Sequence, residues 1–150
     1  MNLPNMGQRG GPPGQPRTAV GAGAFNPDYT ILVCDDERHI VRLIQVNLER
    51  LGYRVLTAFD GKEGLDMIKS EKPGLVILDT MMPFMDGYEV LRALRADLEF
   101  EAMPVILLSA KCQNEDIFEG YHAGADMVLT KPFNPMELAS FIGGLPNDKA

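Results

Sequence analysis

The feature that most constrains this chain is the run Leu75-Val76-Ile77-Leu78, which no polar residue interrupts and which Asp79 ends. An aliphatic run of this length without alternation predicts a strand buried on both faces, as in parallel sheets. Three other runs repeat the design. Ile31-Leu32-Val33-Cys34 stops at Asp35-Asp36, Val105-Ile106-Leu107-Leu108 at Ser109, and Met127-Val128-Leu129-Thr130 at Lys131-Pro132. Ligands of open α/β sheets bind beyond the carboxyl ends of the strands. The four runs therefore deliver three carboxylates, a hydroxyl and an ammonium to one edge.

Helical periods separate the strands. Arg38 to Leu51 places Ile40, Leu43, Ile44, Leu48 and Leu51 on one face, and Gly52 supplies a C-terminal stop. Arg54 to Ala58 predicts a short strand, and Asp60 is placed to cap a helix from Gly61 to Lys72, with Leu65 and Ile68 inward and Pro73 forcing its end. Gly87 to Ala96 turns Val90, Leu91 and Leu94 to one side, Asn114 to His122 predicts a fourth helix, and a fifth starts near Pro135. The order is β-α repeated five times. Helical crossovers between short strands imply a parallel sheet covered on both faces, a three-layer α/β/α sandwich.

Residues 1–27 are rich in glycine and proline and poor in large aliphatics, a composition that predicts a disordered tail. Pro12-Pro13 there reads as flexible spacer rather than as an extended proline-type ligand. The tail holds Arg9 and Arg17 and no acid, so removing +2 from the net −7 leaves −9 for the rest. That balance argues against a nucleic-acid surface, which needs clustered Lys and Arg. No apolar run reaches the length of a membrane span and no secretory signal is present, so the expectation is a cytoplasmic protein without a membrane partner. Cys34 reads as a small buried hydrophobe and Cys112 as a loop thiol.

The acids set the chemistry. If Asp35, Asp36 and Asp79 converge within ~5 Å, each ionised pair repels by roughly 3 kcal/mol at an effective dielectric of ~20. Such a cluster calls for a cation, and an all-oxygen donor set suits Mg²⁺. Asp35 and Asp36 alone would read as caps of the helix near Arg38; Asp79 at a neighbouring strand end turns the reading toward a site. With the charge neutralised, Asp79 is the candidate nucleophile toward a phosphoryl group, forming an acyl phosphate. Ser109 could donate to one phosphoryl oxygen and Lys131 pair with another.

Together, Asp35-Asp36, Asp79 with Met82-Pro83 and Asp86-Gly87, Ser109-Ala110 and Lys131-Pro132-Phe133 resemble the receiver domain of two-component response regulators, including stand-alone, chemotaxis-regulator-like members. The resemblance covers Tyr29 to Leu145 and gives a receiver domain over 28–145, followed by a short tail at 146–150. It implies a flavodoxin-like fold with five parallel strands in the order 2-1-3-4-5 and five helices. It also implies that Asp79 accepts a phosphoryl group from the phosphohistidine of a sensor kinase or phosphotransfer protein. Asp36, Asp79 and the Met81 carbonyl would hold Mg²⁺, with Asp35 acting through water. Ser109 would turn toward the phosphate, and Lys131 would hold a phosphoryl oxygen beside a cis bond to Pro132. The output would be a population shift of the face formed by the fourth helix, fifth strand and fifth helix, read by a downstream protein.

One position departs from the pattern. Three residues before the lysine many members carry an aromatic ring that swings inward; here Val128 stands there, too short to report loop movement by swinging. The last helix also looks short, with Gly143-Gly144 and Pro146 interrupting it. Met81, Met82 and Met85 read either as an adaptable docking surface or as packing on the first helix. His39 and His122 read as ordinary exposed histidines. The competing enzyme, an aspartate-nucleophile phosphatase, would need a second acid two residues after the nucleophile, where this chain has Met81. A flavin carrier is opposed by the acids after the first strand, where its phosphate loop would lie. A phosphorylation-independent scaffold would be expected to have lost site residues, and none is missing. No output domain is expected after Leu145; the chain reads as a stand-alone regulator, a relay intermediate or a receiver cut from a longer protein, and Met1 with its tail favours the first two.

Overall fold

The computed structural model describes residues 29–110 and 114–144, except for the side chains of 114–116. The expected N-terminal tail, Cys112 and the C-terminal tail lie outside the described residues. Ten elements alternate: β1 (Thr30–Cys34), α1 (Arg38–Arg50), β2 (Arg54–Ala58), α2 (Gly61–Glu71), β3 (Leu75–Asp79), α3 (Gly87–Arg95), β4 (Val105–Ser109), α4 (Asn114–His122), β5 (Met127–Thr130) and α5 (Pro135–Gly143). All strand pairs are parallel and the sheet runs β2-β1-β3-β4-β5. The fold is the expected one, down to its strand order.

Burial explains the uninterrupted apolar runs. Every residue of β1, β3 and β4 is buried, because helices cover both faces of the sheet. On one face Ile31, Val33, Ile77, Ile106 and Leu108 pack against Val41, Ile44 and Leu48 of α1 and Leu138 and Ile142 of α5. On the other, Leu32, Val76, Leu78 and Leu107 meet Ile68 of α2 and Val90, Leu91 and Leu94 of α3. α1 corrects the sequence reading. Leu43 is 41% exposed and Leu51 45%, while Val41 is buried in their place. Neighbouring residues of a helix point about 100° apart, so Leu43 falls off the stripe centred on Ile44. Leu51 is the C-cap residue, beyond the last residue of the helix.

The helix ends follow local chemistry. Asp60 caps α2 by accepting the Glu63 N–H at 2.7 Å. Asp86 and Glu89 form a reciprocal capping box at α3, which fixes where the chain turns after β3. At Gly87 a Cβ would collide with the Asp79 carbonyl, so only glycine lets α3 start this close to the site.

Arg95, the last residue of α3, ties three segments together. Its Nε donates to the Gly124 carbonyl at 2.9 Å and its Nη1 to those of Met103 at 2.7 Å and Glu101 at 3.1 Å. Nη2 meets Asp126 Oδ2 at 3.2 Å, and that oxygen also accepts the Val105 N–H at 2.8 Å. The end of α4 and the start of β4 are thereby fastened to α3.

Candidate functional site

Four strands bring their ends to one edge. Asp35 and Asp36 follow β1, Asp79 closes β3, Ser109 closes β4, and Lys131 follows β5 across a cis peptide to Pro132. The Lys131 N–H donates to the Ser109 carbonyl at 2.7 Å, which holds the lysine's backbone against β4. From there the side chain spans the edge. Its Nζ lies 2.9 Å from Asp35 Oδ2, 2.9 Å from Glu37 Oε1 and 3.4 Å from Asp79 Oδ1.

The three sequence-predicted acids converge: oxygens of Asp35, Asp36 and Asp79 all lie within 4.8 Å of one another. Asp35 and Asp79 are buried and Asp36 is exposed. Asp35 Oδ1 accepts the Glu37 N–H at 2.9 Å, whereas its buried Oδ2 faces the lysine without an aligned hydrogen bond. A buried carboxylate oxygen left this way, in an all-oxygen cluster with more negative than positive charge, fits a hard divalent cation. The alternative in which Asp35 and Asp36 cap α1 is not realised, since the N-cap is Glu37 and no side chain caps it.

Electrostatics mark Asp79 out. Burial first, and the Asp35 charge next, push its carboxyl up to about 7, while Lys131 pulls the other way. For Lys131, burial works against the ammonium, but the hydrogen bond to Glu37 and the Asp35 and Asp79 carboxylates outweigh it and its pKa rises. The hydrogen bond from Lys131 also holds the Glu37 carboxyl below its usual range.

Ser109 is buried at the end of β4, opposite Thr130 in register. The Met81 side chain is 64% exposed. Met82 and Met85 lie against the α2–α3 core rather than on α1, and Met82 Sδ accepts from the Cys34 thiol at 3.4 Å, which corrects the expectation of packing on α1. Cys34 is buried as expected. His39 and His122 are exposed, the latter stacked on Phe118 at 5.9 Å. Val128 packs partly buried on the α2–α3 side, and its N–H donates to the Tyr121 hydroxyl of α4 at 3.2 Å.

Sequence reading missed two participants. Glu37 gives no periodic or spacing signal, because its contact with Lys131 spans 94 residues. Tyr121 reads as one more residue of an amphipathic helix, and only the strand pairing shows its hydroxyl meeting the outer edge of β5.

A five-stranded parallel sheet whose carboxyl edge gathers an acid cluster and a lysine defines a flavodoxin-like domain with a site for charged ligands. Comparison with known proteins narrows this. Residues 31–142 match the family model of the response regulator receiver domain. The chain is 50% identical over 109 residues to the alkaline phosphatase synthesis transcriptional regulatory protein PhoP of Bacillus subtilis, covering 72% of this chain and 44% of that protein. It is 40% identical over 113 residues to the response regulator GtcR of Aneurinibacillus migulanus, covering 75% and 46%. The chain thus spans less than half the length of these curated relatives. Among solved structures, a Francisella response regulator receiver domain superposes with a TM-score of 0.72 at 38% identity, covering 78% of this chain and 93% of that one. The Vibrio cholerae chemotaxis protein CheY4 gives 0.71 at 32% identity, covering 76% and 95%. This chain belongs to the receiver domain family of two-component response regulators, a signalling family rather than a class of enzymes. No described helix is long and apolar enough to cross a membrane.

Proposed function

We propose that Asp79 is the phosphoryl acceptor of this receiver domain and that a sensor histidine kinase or phosphotransfer protein is the donor. The observation that supports this best is Lys131, brought from the far end of the chain to 2.9 Å from Asp35 and 3.4 Å from Asp79. In the transfer, a carboxylate oxygen of Asp79 forms a bond to phosphorus as the phosphorus–nitrogen bond to the donor imidazole breaks, and the imidazole leaves with the bonding pair. Lys131 balances the charge gathering on the phosphoryl oxygens, and Ser109 supplies a donor from β4. Asp36, Asp79 and the Met81 carbonyl would hold Mg²⁺, with Asp35 linked through water. When bound, the cation screens the acids from one another and from the incoming phosphoryl group.

Phosphorylation shifts the population of the face built from α4, β5 and α5, and a downstream protein reads it. We read the partners of this domain as proteins, since its net charge of −7 disfavours binding to a phosphate backbone. With Val128 in place of a swinging ring, either loop displacement alone carries the signal or the outer face is read in one state only. The domain occupies 28–145, between a Gly/Pro-rich N-terminal segment and a short C-terminal one.

Intact-mass measurement after incubation with acetyl phosphate tests the reading. A single phosphoryl adduct that needs Mg²⁺ and disappears in Asp79→Asn is the expected result; an adduct of equal size in Asp79→Asn would refute the assignment.

A further inference from the structure

Phe84 sits in the turn between β3 and α3 at φ 68°, and its side chain is 87% exposed. A bulky residue is strained in this left-handed conformation, which glycine adopts freely. In the free domain this phenylalanine is therefore unfavourable twice, through its backbone and through the apolar ring it leaves in water. Among the described residues the ring belongs to neither core cluster.

Phe84 also lines a groove of about 580 Å³ along α2, together with Met67 and the charged residues Asp60, Lys62, Glu63 and Asp66. Asp60 and Glu63 each use an oxygen on a backbone N–H at the start of α2, at 2.7 and 2.9 Å. Lys62 approaches Asp66 only at 4.0 Å, with both side chains mostly exposed, so this pair neutralises little. The groove thus joins two apolar side chains to three carboxylates and one ammonium.

We propose that the groove is a docking site for a basic amphipathic helix of a partner protein, whose apolar side packs on Phe84 and Met67 and whose Lys or Arg residues face Asp60, Glu63 and Asp66. Helix-in-groove binding uses this combination of an exposed aromatic anchor and a charged surround. A second copy of this chain fits less well, because each copy brings a net charge of −7. The site does not involve Asp79 and stands apart from the phosphoryl reading.

A fluorescent 14-residue helical peptide of leucine and lysine, titrated into the full chain at physiological salt and followed by anisotropy, tests the proposal. One-to-one binding in the tens of micromolar is expected. Phe84→Gly should weaken it at least tenfold while raising the melting temperature by about 2–4 °C as the strain is relieved. Asp66→Lys should weaken it severalfold, and Glu101→Lys, an equal charge change away from the groove, should leave it within about twofold. No saturable binding, unchanged affinity in Phe84→Gly, or equal losses in Asp66→Lys and Glu101→Lys would overturn the proposal. So would a lower melting temperature in Phe84→Gly, since the ring would then be supporting the fold.

Discussion

β3 and β5 both end in residues of the site, yet they are built differently. β3 lies between β1 and β4 with every residue buried, and it carries Asp79 from the middle of the sheet. β5 is an edge strand in which only Leu129 is buried, and it carries Lys131. Among the described residues its outer side has no neighbouring strand, and the Tyr121 hydroxyl takes the Val128 N–H there. Asp79 thus stands on a part of the molecule that cannot shift without breaking the core, while the lysine stands on a less buried edge. Under the proposed function, holding the reacting carboxylate still and changing shape would then fall to separate strands.

Truncation gives the broadest test of this contrast. Ile77→Ala in β3 should lose about 4 kcal/mol of stability in urea unfolding, and Val128→Ala in β5 about 1 kcal/mol or less. Equal losses would break the comparison. Lys131→Met should cost about 3 kcal/mol at pH 8 without metal, because it leaves the buried Asp35 and Asp79 unpaired. Saturating Mg²⁺ should restore much of that loss, which thermal melts with and without the ion would show.

Asp79→Asn should act in the opposite direction. The folded protein holds the Asp79 proton up to about 7, whereas an unfolded aspartate releases it near ~3.9. Metal-free stability therefore falls as pH rises across that window, and the penalty is complete above it. The asparagine variant should be more stable than the parent by about 2 kcal/mol at pH 8 and no different near pH 4. A gain that persisted at pH 4 would show that the cause is not this proton.

Glu37→Gln should have the smallest effect on stability, under about 1 kcal/mol, because its carboxylate is half exposed. It should nevertheless speed phosphoryl uptake from acetyl phosphate severalfold by releasing Lys131 from a competing acid. Slower uptake would mean that Glu37 helps to place the lysine for the reaction.

The sequence was most legible where burial is complete. The runs leading to Asp79 and Ser109 are apolar throughout because both faces of their strands are covered, and the abrupt polar residue after each marks the sheet's edge. It was less legible on α1, where Leu43 looks like a core residue and is not: composition does not say which way the helix is turned on the sheet. The contacts of Lys131 with Asp35 and Asp79 follow once the strand order is known. The Glu37 contact joins segments 94 residues apart, and that of Tyr121, though only seven residues from Val128, depends on how α4 turns against the edge of β5; no local period carries either.

The Arg95 strap has a mechanical consequence. It grips the Gly124 carbonyl and Asp126 just beyond the C-terminal end of α4, while the opposite end of that helix has no part in the strap. α4 is thus tied to α3 at its Gly124 end, so the strap sets where that end of the helix stands against β4 and β5. Cutting it with Arg95→Ala would release that end from α3.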